Sequence, residues 1–328
     1  MKEKNYSVAD VGVLSPRSSP VHTPSKQGWT QHKADLMLGI VASAWGIAYL
    51  LMKLGLESIP PYSMIALRFV IAFAVVAVIF FRKLLQTTKR TLLYSAALGL
   101  LLFGVFAFLM RGLETTSASN GAFLISTSVV LVPIVHAILS RRLPERPIII
   151  GTVLTMVGIG FLVLQQSFAL HSGDILCLFG AITYTFQILL TDRLTHKEDS
   201  LLLGIWQLGF TGLYGVIFTF LFETPTLPTT SAEWGAILGL ALICSSFGFV
   251  VQPVAQRYTT PEHTGLLFAL EPVSSALLAF LFLHEVLSIK GYLGAALVLV
   301  GVLIASAMPS VKKKREPIVS ANYTHSPR

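Results

Sequence analysis

Ten long apolar runs constrain this chain more than any other feature of its sequence. A helix needs roughly 20 mainly apolar residues to cross the hydrocarbon core of a bilayer. Because lipid cannot satisfy backbone hydrogen bonds, each such run predicts a transmembrane α-helix. The runs cover residues 35–53, 62–81, 91–110, 118–139, 148–165, 173–190, 201–222, 233–256, 263–283 and 290–308.

Composition supports the same class of protein. Of 328 residues, 12% are charged, whereas soluble domains carry about 25%. A net charge of +8 does not indicate nucleic-acid binding, because the basic residues lie between the apolar runs and at the chain ends rather than on one face. Cys177 and Cys244 lie inside apolar runs, so we expect packing residues, and we expect neither a metal site nor a cofactor.

Lysine and arginine lie mostly on one side of the predicted spans. With the N-terminus inside the cell, 20 of the 24 fall in cytoplasmic segments, three fall outside and Arg68 lies within a run. Basic loops favour the cytoplasmic side, so this distribution predicts a plasma-membrane protein with both termini cytoplasmic. Residues 1–34 are rich in Ser, Pro and basic residues and are expected to form a disordered cytoplasmic tail, and 309–328 a second cytoplasmic tail.

An internal repeat runs through the membrane region. The segment GTVLTMVGIG from Gly151 matches GAALVLVGVL from Gly294 at four positions, and the offset is 143 residues. Repeats of five spans, 35–165 and 173–308, must enter the membrane from opposite sides because five is odd. The predicted fold is therefore an all-α integral membrane protein with ten transmembrane helices in two inverted five-helix repeats. Gly151, Gly158, Gly294 and Gly301 are expected to let helices pack closely.

Three segments carry a family resemblance: WGIAYLLMKLGLESIPPYSMIALRF from Trp45, GDILCLFGAITYTFQILLTDRL from Gly173, and FALEPVSSALLAFLFLHEVLSIKGYLGAALVLVGV from Phe268. With ten spans, they make the chain similar to the EamA group of the drug/metabolite transporter superfamily. The resemblance implies a secondary carrier of small organic molecules, often an exporter of amino acids or toxic compounds. Sugars or nucleotide sugars, carried by relatives, remain an alternative.

The chain also departs from the family pattern. Its first half lacks the Glu often found after the fourth helix and has Arg142 there instead. Setting Gly121 against Gly265 places Thr127 opposite Glu271, so acidic residues of the transport machinery are expected in one half only.

Other functional classes find less support. No HExxH, GxSxG or phosphate-loop motif occurs, so an enzyme is not expected. A non-transporting membrane receptor or scaffold remains the second alternative, but it would need neither an inverted repeat nor a buried charge.

Two ionisable residues inside the runs are candidates for transport. Glu271 lies about eight residues into the ninth span, and such a carboxyl group can bind and release a proton during coupling or form a structural hydrogen bond between helices. Pro272 cannot donate to the carbonyl of Phe268, which favours a broken helix beside the acid. Arg68 can bind an anionic group of the substrate, pair structurally or extend towards the membrane surface.

Aromatic and amide residues complete the predicted binding site. Its walls are expected from the first, second, sixth, eighth and ninth helices, although helix packing is the favoured interpretation of each residue taken alone. The predicted substrate-binding residues are Trp45, Tyr49, Arg68, Tyr184, Gln187, Gln252 and Glu271. Gln256 is a further amide of the eighth span that is considered with Gln252, and Gln207 and His136 are weaker candidates. Glu285 is interpreted as a structural carboxylate at a helix end. The expected partners are the lipid bilayer, a small-molecule substrate and, where transport is coupled, protons; the oligomeric state stays open.

Overall fold

A computed structural model describes residues 30–116, 118–163, 172–283 and 288–306. The predicted tails lie outside these residues except for 30–34, and Glu285 lies outside them as well. Residues 30–34 correct the predicted boundary of the N-terminal tail, because they form the start of the first helix. Thr30 caps that helix by accepting a hydrogen bond from the backbone N–H of Lys33, so helix formation begins before the apolar run does.

The described residues form helices and no strands. The helices are α1 (Gln31–Trp45), α2 (Ala48–Gly55), α3 (Pro61–Ile79), α4 (Phe81–Leu84), α5 (Lys89–Leu113), α6 (Ala118–Ser126), α7 (Ser128–Ser140), α8 (Arg146–Val163), α9 (Ser172–Thr195), α10 (Ser200–Phe222), α11 (Ser231–Gly239), a π-helix (Leu240–Phe247), α12 (Gly248–Gln256), α13 (Pro261–Phe268), α14 (Leu270–Leu283) and α15 (Ile289–Ser306).

Seven helical stretches within the described ranges are long and apolar enough to cross a membrane. They cover Gln31–Gly55, Pro61–Ile79, Lys89–Leu113, Gly121–Ser140, Ser172–Thr195, Ser200–Phe222 and Ser231–Gln256. Helices α8 and α15 are apolar but shorter, and the predicted ninth span consists of two pieces, α13 and α14. The chain is thus an all-helical membrane protein, while the count of ten spans in two repeats stays a prediction.

Several of the long apolar stretches are broken. The ninth run is interrupted at Ala269, three residues before Pro272, as expected from the missing proline donor. The first run is interrupted at Gly46 and Ile47. A Cβ added at Gly46 would lie 2.7 Å from the backbone nitrogen of Ser275, so glycine lets this break contact the backbone of α14.

Polar contacts identify one end of the bundle, which we call the Gln31 end. There the hydroxyl of Thr259 donates to Oδ1 of Asp35 at 2.6 Å, and Gln31 Nε2 lies 3.1 Å from Nδ1 of His263. These contacts connect α1 to α13 and to the turn before it.

Two further pairs belong to the Gln31 end. His136 on α7 is paired with Glu262 on α13, so His136 makes a hydrogen bond between helices rather than an apolar contact. Lys83 lies 2.8 Å from Asp199, the N-cap residue of α10.

The opposite end, which we call the Glu223 end, has its own network. Glu223 follows α10 and accepts hydrogen bonds from the backbone N–H groups of Tyr62 and Ser63 in the first turn of α3. Arg111 pairs with the same carboxylate at 3.0 Å. Lys53 donates to the carbonyl of Leu113 at 2.8 Å, which satisfies an acceptor at the end of α5.

Helices α8 and α15 cross in close contact at glycines, which confirms the predicted role of these residues. A Cβ added at Gly151 would lie 2.6 Å from the carbonyl oxygen of Gly301, and one at Gly158 would lie 2.6 Å from that of Gly294. From the first contact to the second, residue numbers rise along α8 and fall along α15, so the two helices are antiparallel. Backbones this close leave no room for any side chain between them.

Candidate binding cavity

The interior of the bundle contains a partly open cavity, whose empty space of about 420 Å³ includes space that is open to the surroundings. Most of its wall is apolar, and four residues bring polar or ionisable groups to it besides the indole of Trp45. The lining residues are Trp45, Ala48, Tyr49, Met52, Arg68, Leu102, Val105, Phe106, Leu109, Ile125, Tyr184, Phe249 and Glu271. Five of the seven predicted binding residues therefore meet at one cavity.

The cavity lies closer to the Glu223 end than to the Gln31 end. Arg68 is seven residues along α3 from Pro61, which places its Cα about 10 Å from that helix start at 1.5 Å per residue. Met52 lies in the last turn of α2, also near the Glu223 end. Between the cavity and the Gln31 end, the space between the helices is occupied by buried side chains, such as those of Leu38 and Val41 on α1.

Arg68 is fully buried, with 1% of its surface exposed, and its guanidinium is held by neutral groups. Its Nε donates to the hydroxyl of Ser245 at 2.6 Å. The ring centroids of Phe106 and Phe69 lie 4.3 and 5.1 Å from its Cζ, which gives cation–π stabilisation. In the described part of the chain, no carboxylate oxygen lies within 4.0 Å of its nitrogens, so the cation has no ion-pair partner there.

Glu271 lies in the first turn of α14, immediately after the break at Ala269. It lines the same cavity as Arg68 and interacts with it electrostatically, although the two charges are not in contact. Glu271 forms no hydrogen bond and no ion pair with any residue that the structure describes. The carboxyl group can therefore exchange a proton or bind a cationic group without first breaking an existing contact.

The aromatic residues of the cavity are held firmly in place. The indole N–H of Trp45 donates to the carbonyl oxygen of Cys244 at 2.7 Å, and its ring packs against Phe249 and Phe268. Tyr184 stacks on Phe268 with a centroid distance of 5.8 Å. Tyr49 lies on α2, across the Gly46–Ile47 break from Trp45, and both residues line the cavity.

Gln187 and Gln252, the other two predicted binding residues, are fully buried and do not line the cavity. Gln252 donates to the side chains of Gln187 and Gln256, and Gln187 donates to Gln207. Gln207 in turn donates to the carbonyl oxygen of Phe249 at 2.7 Å. These four amides connect α9, α10 and α12, and they place Gln187 and Gln252 behind the cavity wall. Their predicted contact with substrate stays a prediction.

The sequence interpretation missed the contribution of α5 and α6. Leu102, Val105, Phe106 and Leu109 of α5 form a stripe on one helix face that lines the cavity. The spacing of this stripe is typical of any buried helix face, so nothing in the sequence distinguishes it from ordinary packing. Ser245 was also missed, because a serine in an apolar run gives no sign that it contacts Arg68.

As a whole, the cavity combines one guanidinium, one carboxyl group and two phenols with apolar walls. Such a site suits a small organic molecule whose body is apolar and whose polar groups are few. Among the described residues that line the cavity, no nucleophile is hydrogen-bonded to a base.

Comparisons with known proteins agree on the family. The model of the EamA-like transporter family matches residues 32–164 and again 171–307. An uncharacterized transporter from Archaeoglobus fulgidus is 29% identical, over 83% of this chain and 85% of its own length. The uncharacterized transporter YoaV from Bacillus subtilis is 24% identical, over 82% and 96% of the two chains.

A solved crystal structure of a protein supports the fold. It superposes with a TM-score of 0.72 at 18% sequence identity, covering 84% of this chain and 97% of its own. Together with the membrane-spanning helices and the central cavity, the two family matches across both halves show that the chain belongs to the EamA-like transporter family.

Proposed function

We propose that this protein is a secondary carrier that exports small organic metabolites, such as amino acids or toxic compounds, by alternating access in the plasma membrane. The observation that carries the proposal is the cavity in which Arg68 and Glu271 face the same space without forming an ion pair. Charges buried in a membrane protein are costly, so two of them at one cavity favour a functional role.

The proposed architecture is two inverted five-helix repeats, residues 35–165 and 173–308, with both termini cytoplasmic. Helix packing supports it. Helix α1 packs against α12 and α14, while α9, the first helix of the second half, packs against α5, α6 and α7. Helices α3 and α10 pack against each other, as do α8 and α15, and these are corresponding helices of the two halves. Exchanging the halves therefore maps the contacts of α1 onto those of α9, and it maps the α3–α10 and α8–α15 pairs onto themselves.

Broken helices give further support. The break between α6 and α7 is at Thr127, and the break between α13 and α14 is at Ala269, an offset close to that of the sequence repeat. Interrupted helices at corresponding positions of the halves are typical of the substrate sites of carriers. Because Glu271 follows the second of these breaks, we assign it the proton-coupling role.

The proposal is tested by flux in cells expressing wild type, Glu271→Gln or Glu57→Gln. An untargeted comparison of the medium identifies the compound that wild type exports, and its flux is then measured between pH 5.5 and 8. Glutamine keeps the size and hydrogen-bonding groups of Glu271 but cannot titrate, so we expect reduced flux without the pH dependence of wild type. Glu57 is an exposed loop residue, and its variant should behave like wild type.

Each result bears on a different part of the proposal. Wild-type flux with an unchanged pH profile in Glu271→Gln would remove the coupling role but leave the carrier. The carrier proposal itself would be contradicted if the amount of every compound, in the medium and in the cells, were the same with and without the wild-type protein.

A further inference from the structure

We infer that the π-helix Leu240–Phe247 is the positioning element of the cavity, and that through Ser245 it makes Arg68 a receptor for a carboxylate group of the ligand. The inference rests on the proposed function, because it concerns the same cavity. Ser245 does not line the cavity, and it acts only through Arg68.

The contacts of Arg68 decide which part of its guanidinium is available. Its Nε–H is used by the hydroxyl of Ser245, and its Nη1 lies 3.8 Å from Sδ of Met52, a weak acceptor. The rings of Phe69 and Phe106 also lie next to the guanidinium, with their centroids 5.1 and 4.3 Å from its Cζ. The edge formed by the two Nη atoms is therefore the one left for a ligand, and it has the spacing of the two oxygens of a carboxylate.

The same π-helix also positions Trp45. The carbonyl oxygen of Cys244, next to Ser245, accepts the indole N–H of Trp45 at 2.7 Å. Gly248 follows the π-helix, and a Cβ at this position would overlap the indole ring of Trp45. One short segment thus fixes a cation and an aromatic ring on the wall of one cavity, and π-helical turns occur frequently at functional sites.

The ligand class follows from these two positioned groups. A carboxylate can bind Arg68 end-on through both Nη atoms, while the apolar body of the ligand packs against Trp45 and Phe106. A neutral analogue of the same shape would keep the apolar contacts and lose the charged hydrogen bonds. Loss of the Ser245 hydroxyl frees the guanidinium to rotate, so it should weaken binding of the acid alone.

The test uses benzoate and benzamide as probes, because they share a ring and a size but differ in charge. Their affinities for the purified full-length protein are measured from the concentration dependence of its thermal unfolding. In wild type, benzoate should bind at least tenfold more tightly than benzamide. In Ser245→Ala, the affinity for benzoate should fall about tenfold, while the affinity for benzamide stays unchanged.

Ser246→Ala is the matched control. The Ser246 hydroxyl is on the same π-helix, but it donates to the carbonyl oxygens of Ala72 and Ala241 and does not contact Arg68. Its variant should bind both probes like wild type.

Three results would overturn the inference. They are equal affinities of wild type for the two probes, an unchanged benzoate affinity in Ser245→Ala, and the same loss in Ser246→Ala. None of them bears on whether the protein is a carrier, which the flux of exported compounds decides separately.

Discussion

Arg68 is the residue at which stability and function conflict most directly. It is a fully buried cation that the described structure pairs with a hydroxyl, a thioether and two aromatic rings but with no carboxylate. Removing a charge from water is costly unless an opposite charge compensates it. A buried cation without a compensating charge therefore indicates a function that needs the charge, and the proposed function is ligand binding.

Replacing Arg68 by methionine should therefore stabilise the free protein while abolishing binding of benzoate. Methionine fills a similar volume without a charge, so it avoids the desolvation penalty of a buried cation that has no ion-pair partner, a penalty of several kcal/mol. Thermal unfolding of the purified variant in detergent measures the first effect, and benzoate titration measures the second. A destabilised variant would mean that Arg68 holds the bundle together.

Arg111→Met is the comparison for this prediction. Arg111 pairs with Glu223, whose carboxylate is almost fully buried, so its loss leaves that carboxylate without its cation. We expect Arg111→Met to lower the unfolding temperature, in contrast to Arg68→Met.

Single residues of the cavity could be predicted from sequence where a residue type is unusual for a membrane helix. Arg68 and Glu271 stand out because charges inside apolar runs are rare. Trp45, Tyr49 and Tyr184 were predicted from their polar aromatic groups. Gln187 and Gln252 share that polarity, but the structure places them in a chain of buried amides, because a buried amide is satisfied equally well by another amide. Sequence spacing does not indicate which neighbour an amide will face.

At the scale of helices, glycine contacts determine how closely elements approach. Gly158 of α8 lies against the backbone of α15, whereas Gly235 of α11 has nothing within 4 Å of the position of an added Cβ. These two glycines therefore have opposite structural roles, although both lie inside apolar helices.

Gly158→Ala should destabilise the protein and Gly235→Ala should not. The added Cβ at Gly158 would lie 2.6 Å from the carbonyl oxygen of Gly294, so α8 and α15 must separate, at a cost of about 1–3 kcal/mol. At Gly235 the same change improves helix propensity by roughly 1 kcal/mol. Thermal unfolding of both variants checks the sign, and equal unfolding temperatures would contradict the close contact.

Helix breaks were predicted only where a residue forbids a hydrogen bond. Pro272 removes a donor, so the break near Ala269 could be expected from sequence. The break at Gly46 and the π-helix at Leu240–Phe247 follow from tertiary contacts instead: Gly46 contacts α14, and Cys244 and Ser245 contact Trp45 and Arg68. Such contacts leave no local signal in an apolar run.

For the whole molecule, the two ends of the bundle differ. The cavity lies towards the Glu223 end, whereas at the Gln31 end Asp35 and Thr259 connect α1 to the turn before α13. His136 and Glu262 connect α7 to α13 at the same end. The proposed alternating access requires these helices to separate so that the cavity can open towards the Gln31 end.

Linking the Gln31 end covalently should therefore stop transport. We expect a short, cleavable thiol cross-linker to block flux in the double variant Asp35→Cys/Thr259→Cys, because the two side chains are in contact. Cleaving the linker should restore flux. The two single variants, which keep the buried Cys177 and Cys244, control for modification without linkage. Undiminished flux in the cross-linked protein would contradict a separation at this end.

The glycine crossing of α8 and α15 has a consequence for the speed of such a motion. Gly151 meets Gly301 and Gly158 meets Gly294, so exchanging the two helices converts one contact into the other. A rocking movement that interchanges the conformations of the halves can leave this crossing intact throughout. The activation barrier then arises from contacts that must break and form again, such as Asp35 with Thr259, and substitutions there should change turnover more than substitutions along the crossing.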